Sequence, residues 1–154
     1  MHKKLSSSIY LIICFVFFLW VDLYFSAQLV RQLGTGLKIS TPVFALTYVK
    51  NYGAAFSIMQ NAREVLIILS VVAIVLLFGY VIKHLKSISF KSIFFIALLS
   101  AGIAGNLHER IIYGYVRDFF EIKAFNFPVF NISDIFITVG VISLVILILL
   151  KKTK

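Results

Sequence analysis

Four apolar segments constrain this chain more than any other feature: Ile9–Ala27, Val65–Ile82, Ile93–Gly105 and Ile135–Leu150. A helix that crosses a bilayer needs about 20 largely apolar residues, within a usual range of 17–25. The first two segments are long enough as they stand. The third reaches that length by recruiting Phe90 at one end and Leu107 at the other, and the fourth by starting within Asn131–Asp134. The expected spans are therefore 9–27, 65–82, 90–107 and 132–150. Composition agrees: the 154 residues are 61% hydrophobic and 14% charged, whereas a soluble domain carries about 25% charged residues. The expected fold is an all-α membrane protein, one domain over residues 1–154, with four transmembrane helices and a small extracytoplasmic β-sheet from the first outer loop.

The net charge of +9 suggests nucleic acid until it is placed along the chain. Eight of the fifteen Lys and Arg residues fall in three short segments: Lys3 and Lys4; Lys83, Lys86 and Lys91; Lys151, Lys152 and Lys154. The other seven share the long connections with the six acids or lie beside them. This is the one-sided pattern of a membrane protein whose basic loops stay in the cytoplasm, and it argues against a nucleic-acid surface. Both termini and the 83–91 loop are expected inside, and the connections 28–64 and 106–133 outside. The basic start and the Phe25-Ser26-Ala27 ending of the first segment also fit a cleaved signal peptide. The apolar stretch is long for one, and Trp20 and Tyr24 fit an interfacial belt, so it is read as a span. Cys14, the single cysteine, lies in an apolar run and reads as a small buried hydrophobe.

In the first outer connection, Val43–Val49 is β-branched and aromatic and reads as a strand. Asn51-Tyr52-Gly53 supplies turn chemistry after it. The third segment carries Ala97, Ser100, Ala101, Gly102, Ala104 and Gly105. Small residues let helices approach closely in a bilayer, so this span is expected at the centre.

Few residues offer chemistry. His108-Glu109-Arg110-Ile111-Ile112 starts like a zinc-protease helix but has Ile where the second histidine would stand. Ser57 has no nearby histidine to activate it. The acids remain. Asp118 and Asp134 bracket the second outer connection, each enclosed by aromatic and branched apolar residues, and acids at membrane depth are read as functional by default. Asn131, Ser133 and Asp134 also suit a helix start, so Asp134 can equally be a cap, and Asp118 can equally pair with Arg117 or Arg110. A transport relay through Asp22, Asp118 and Asp134 is a further reading. If the two aspartates face each other, the positive end of a helix would favour the ionised form of Asp134. An apolar setting would favour the protonated form of Asp118.

In their order along the chain these motifs resemble the lipoprotein signal peptidases, or signal peptidase II, bacterial aspartyl proteases of the inner membrane. Asp22 matches the acid that ends the first helix. Asn51-Tyr52-Gly53-Ala54-Ala55-Phe56-Ser57 matches the Asn-x-Gly-Ala-Ala-Phe-Ser signature. Gly102–Leu107 with Arg110, then Gly114–Phe119, match the block of the first catalytic aspartate, and Phe130–Asp134 that of the second. Glu109 stands where an aspartate is usual, Phe25 and Ser26 where Ser or Thr and then Lys are common, and Ser133 where Ala is more usual. The connection from Asp118 to Asp134 is rather short.

The resemblance implies cleavage of diacylglyceryl-modified prolipoproteins just before the lipid-bearing cysteine. Asp118 and Asp134 would activate a water, with no metal or other cofactor. Asn51, Asn106, Arg110 and Asn131 would orient substrate and dyad, with Gly53 and Asp22 completing the binding set. The expected partners are these substrates and membrane lipids, with no nucleic acid, and the expected state is a monomer. The site would lie near the outer face of the inner membrane. Phe119, Phe120, Phe125, Phe127 and Phe130 could meet acyl chains or simply anchor at the interface. A small proton-coupled carrier using the same acids is the alternative. Carriers usually show internal repeats, and none is visible.

Overall fold

A computed structural model describes residues 2–37, 39–54, 59–125 and 127–152. Ala55, Phe56 and Ser57 of the signature, and the side chain of Phe125, lie outside the described residues. Helix α1 runs His2–Leu33, strand β1 Ile39–Ser40, strand β2 Phe44–Asn51 and helix α2 Arg63–Lys83. Helix α3 follows over Phe90–Tyr113, strand β3 over Val116–Ile122, a short 3-10 turn over Lys123–Phe125, and helix α4 over Ile132–Lys152. All four helices are long and apolar enough to cross a membrane. In hydrocarbon a backbone must satisfy its own polar groups, which a helix does within one segment.

The helices are longer than the apolar segments suggest. At about 1.5 Å per residue, the 32 residues of α1 extend roughly 48 Å, beyond the ~30 Å hydrocarbon core. Asp22 is therefore well inside α1, eleven residues before its end, rather than at its terminus. Helix α3 likewise continues past Leu107 to Tyr113, so Glu109 and Arg110 are helical residues and not loop residues. Gly114 ends α3 in the left-handed conformation at φ +84°, with its N–H on the Arg110 carbonyl, an arrangement that glycine adopts without Cβ strain.

Helix α3 packs on each of the other three helices and is the most enclosed. Over half of its most apolar stretch is buried, against 11–17% in the other three. The small residues explain this. A Cβ on Gly102 would lie 2.5 Å from the Ser133 carbonyl oxygen, and one on Gly140 2.8 Å from the Leu99 Cβ, so α3 and α4 touch backbone to backbone. A second core, of Leu11, Cys14, Val81, Ile88, Ile93, Ile96 and Ala97, joins α1, α2 and α3 at the end bearing the 83–91 loop. Helices α2 and α4 have no substantial contact with each other, which leaves a cleft on that side of α3.

The sheet sits at the opposite end. It is antiparallel, in the order β1-β2-β3. The strand expected at Val43–Val49 is present as β2. Its main partner, β3, comes from the second connection, where no strand was expected. The register pairs Val49 with Asp118, Lys50 with Arg117 and Asn51 with Val116, after an irregularity between Leu46 and Val49. An isolated bridge between Phe120 and Phe130 folds the chain back from β3 to the start of α4.

Candidate active site

The site lies where the end of β2, the start of β3, the outer part of α3 and the first turn of α4 converge. Asn131 organises it. As the residue before α4, it accepts the Asp134 N–H on its Oδ1 at 2.9 Å, and Asp134 Oδ2 accepts the Asn131 N–H at 3.1 Å. This reciprocal capping box fixes the Asp134 carboxylate beside the helix start. The Asn131 amide Nδ2 then donates to Asp118 Oδ1 at 2.9 Å and to Asn106 Oδ1 at 3.0 Å. Asn106, from α3, donates to Asp134 Oδ1 at 2.9 Å. Asn51, from β2, donates to Asp118 Oδ2 at 3.0 Å. Each of the four carboxylate oxygens thus accepts a bond from an amide, and one asparagine bridges the two aspartates.

Asp118 is 2% exposed. Burial pushes its carboxyl up to about 7, the neighbouring Asp134 charge adds to the rise, and the Asn51 and Asn131 bonds and Arg110 oppose it. A carboxyl in that range takes and gives protons near neutral pH. The ion pairs considered for Asp118 do not form. Arg110 points its guanidinium at the Gly53 carbonyl at 2.9 Å and the Asn106 carbonyl at 3.2 Å. Arg117 is turned to Glu109. The Gly53 N–H in turn donates to Asn51 Oδ1 at 2.9 Å, so Arg110 steadies the turn that presents Asn51.

Asp118, Asp134, Asn51, Asn106 and Arg110 line a cavity of about 780 Å³. Asn131 lies behind it, bonded to both aspartates. Lys50 and Gln60 also reach it, and most of the remaining wall is apolar: Val49 and Val116 from the sheet, Ile103 from α3, Ile135 and Val139 from α4, and Phe127, Pro128, Val129 and Phe130 from the last connection. Ser70 of α2 and Thr138 of α4 also line it, so it extends into the cleft between those helices. Of the phenylalanine run, Phe127 and Phe130 line the cavity, whereas Phe119 is fully buried and packs on Tyr48.

Asp22 does not line the cavity. It is 2% exposed between α1, α3 and α4, and accepts a hydrogen bond from Ser133 Oγ at 2.7 Å. Gly105 makes room for it, since a Cβ there would overlap the Asp22 carboxylate and the Ser133 hydroxyl. Asp22 therefore sits in the interior, bonded to Ser133, the residue before Asp134, and not on the cavity wall. The Glu109–Arg117 pair was not anticipated. Its signal is the placement of each residue beside a site residue, Arg110 and Asp118. Among the described residues no group of three His, Cys, Asp or Glu side chains is placed to hold a metal ion.

Comparison with known proteins places this arrangement in a family. Residues 11–150 match the family model described as signal peptidase (SPase) II. A lipoprotein signal peptidase of Caldicellulosiruptor bescii is 47% identical over 107 residues, covering 70% of this chain and 68% of its own length. That of Streptococcus thermophilus is 38% identical over 133 residues, covering 86% and 84%. That of Lactococcus lactis is 36% identical over 157 residues, covering 99% of both chains. A solved bacterial membrane enzyme superposes with a TM-score of 0.79 at 29% identity, over 94% of this chain and 89% of its own. With a family match across nearly the whole length and relatives above 30% identity, this chain belongs to the signal peptidase II family and is a multi-pass bacterial membrane protease.

Proposed function

We propose that this protein removes the signal peptide from diacylglyceryl-modified prolipoproteins, and that Asp118 and Asp134 perform the hydrolysis. The observation that carries the reading is the pair of carboxylates bridged by Asn131 on the wall of an apolar cavity that opens between two membrane helices. Such a cavity suits a substrate that is part peptide and part lipid. The peptide enters sideways through the α2–α4 cleft, its apolar segment against Ile103, Ile135 and Val139. The acyl chains remain in the bilayer beside Phe127 and Phe130. The basic 83–91 loop and the termini lie in the cytoplasm by the positive-inside rule, which puts the sheet and the cavity at the outer face. Every site residue comes from one chain, so a monomer is sufficient.

In the reaction a water lies between the carboxyls. Asp134 accepts a proton from the water as its oxygen attacks the scissile carbonyl carbon. Asp118, protonated at the start, gives its proton to the carbonyl oxygen, which avoids a free oxyanion in a medium of low dielectric. The tetrahedral intermediate then expels the amine of the lipid-bearing cysteine, which takes the proton held by Asp134. The carboxylic acid of the signal peptide forms as Asp118 recovers its proton. Arg110 and the asparagines orient the peptide, since amides pair with peptide carbonyls and a guanidinium with carbonyl or lipid oxygens.

The test is cleavage of a diacylglyceryl-modified prolipoprotein by purified protein in detergent, comparing wild type with Asp118→Asn and Asp134→Asn. Both substitutions are nearly isosteric and remove only the acid/base capacity. Loss of cleavage in both, with folding retained, is the expected result. Substantial activity in either one removes the dyad from the mechanism.

A further inference from the structure

Behind the catalytic strand, on the face of β3 turned away from the cavity, lies a buried ion pair. Arg117 Nε donates to Glu109 Oε2 at 2.6 Å, and its Nη2 reaches Glu109 Oε1. The guanidinium lies over the Tyr113 ring, 4.2 Å from its centroid. The Arg117 and Glu109 side chains are 10% and 6% exposed. Burial works against the Arg117 cation, but the bonds to Glu109 and its charge outweigh it and hold the group above its ordinary value. A two-pronged contact of this kind fixes distance and orientation together.

We infer that Glu109 and Arg117 form a positioning pair that sets the height of Asp118 against Asp134, an inference that rests on the dyad reading above. Successive side chains of a strand point to opposite faces. Arg117 can therefore grip one side of β3 while its neighbour Asp118 is presented to the cavity. Glu109 is three residues beyond Asn106 and adjacent to Arg110 on α3, the helix that holds Asp134 through Asn106. Asp118 itself is bonded to Asn51 and Asn131, neither of which is on α3. Among the described residues, the side-chain hydrogen bonds joining α3 to β3 are those of this pair. Without it, the strand carrying one acid is registered to the helix that holds the other by the Gly114–Tyr115 connection, the Asn131 bridge and the longer path from Arg110 through Gly53 to Asn51.

Stability alone does not account for the pair. Exchanging a buried ion pair for well-packed apolar residues is often neutral or stabilising, because burying two charges costs several kcal/mol. A role in placing Asp118 supplies a reason for the arrangement here.

The deciding variant is Glu109→Met/Arg117→Met, which removes both charges and leaves neither unpaired; Glu109→Gln accompanies it. Cleavage of the lipid-modified substrate in detergent is measured with melting temperature, with Asp118→Asn in the same series. Misplacement by about 1 Å costs on the order of 10²-fold in rate. The double variant should keep its melting temperature and KM and lose kcat by that order. Wild-type kcat in the folded double variant, with Asp118→Asn inactive, overturns the positioning role alone, as does a loss confined to KM. An active Asp118→Asn overturns the dyad and the positioning role with it.

Discussion

Replacing Asn131 by aspartate separates its two duties. Aspartate caps helices as well as asparagine does, and its oxygen can still accept the Asp134 N–H now held at 2.9 Å. What disappears is the Nδ2 donor to Asp118 and to Asn106. Asn106 cannot turn its own amide toward the new acid without releasing Asp134, to which it donates. A bond to an ionised acceptor contributes about 1.5–3 kcal/mol and a neutral one about 0.5–1.5, so roughly 2–4 kcal/mol of organisation is lost. A third carboxylate adds repulsion of about 4 kcal/mol at 4 Å for an effective dielectric constant near 20. Proton uptake limits that cost. At 1.36 kcal/mol per tenfold change in rate, the lost bonds alone slow cleavage by roughly 30- to 900-fold. Asn131→Ala also loses the donor but adds no charge, and it loses the cap, worth about 1 kcal/mol. Of the two variants, aspartate should therefore be the slower in single-turnover cleavage. An aspartate variant that cleaves faster than the alanine one, or within a few fold of wild type, refutes the bridging role of Asn131.

Two further outcomes follow from the same geometry. Asp118 is raised to about 7 from an unfolded value near 3.9. The folded protein therefore binds the extra proton between those limits, and this contribution to stability is present below about pH 4 and lost as pH rises to about 7. Asp118→Asn should flatten that part of a melting-temperature-versus-pH curve, and the wild-type kcat/KM profile should fall above about pH 7. Gly105→Ala gains about 1 kcal/mol of helix propensity but drives its Cβ into the Asp22 carboxylate and the Ser133 hydroxyl, an overpacking worth about 1–3 kcal/mol. It should lower the melting temperature in detergent, whereas Gly79→Ala, with nothing within 4 Å, should not.

The spans and the central position of α3 were legible because hydropathy and small-residue patterns are local. The ends of α1 and α3 were not. Hydropathy stops at the membrane surface, while a helix continues wherever backbone bonding and capping allow, here to Leu33 and to the left-handed Gly114. Strand β3 was missed for a related reason. Val116–Ile122 becomes a strand by pairing with β2, a contact between segments more than sixty residues apart. The asparagines and aspartates were found as residue types at motif positions, but the wiring among them was not. The cap reading of Asp134 and its place in the site turn out to be compatible, because Asn131 serves both. The alternative pairing of Asp118 with Arg117 is absent for a geometric reason: alternation along β3 puts Arg117 on the other face.

That alternation bears on the chemistry. A general acid must be protonated when substrate arrives, and a cation bonded to Asp118 would lower its carboxyl by 1–3 units. The cations nearest the site are diverted. Arg117 is neutralised by Glu109 behind the strand, and Arg110 is directed at the carbonyls of Gly53 and Asn106. The groups that touch Asp118 are amides, which donate without carrying charge. Asn51→Lys reverses this choice at one position, on the rim of a roomy cavity. If the ammonium lowers Asp118 by about two units, the protonated fraction at pH 7 falls from near half to about 1%. Activity at pH 7 should drop by a factor of roughly 50 and recover near pH 5, so that the upper limb of the kcat/KM profile moves to lower pH by the same two units. A variant slowed at every pH, whose limb has not moved, would mean that Asn51 acts by holding substrate, and that the uncharged surroundings of Asp118 are not what tunes it.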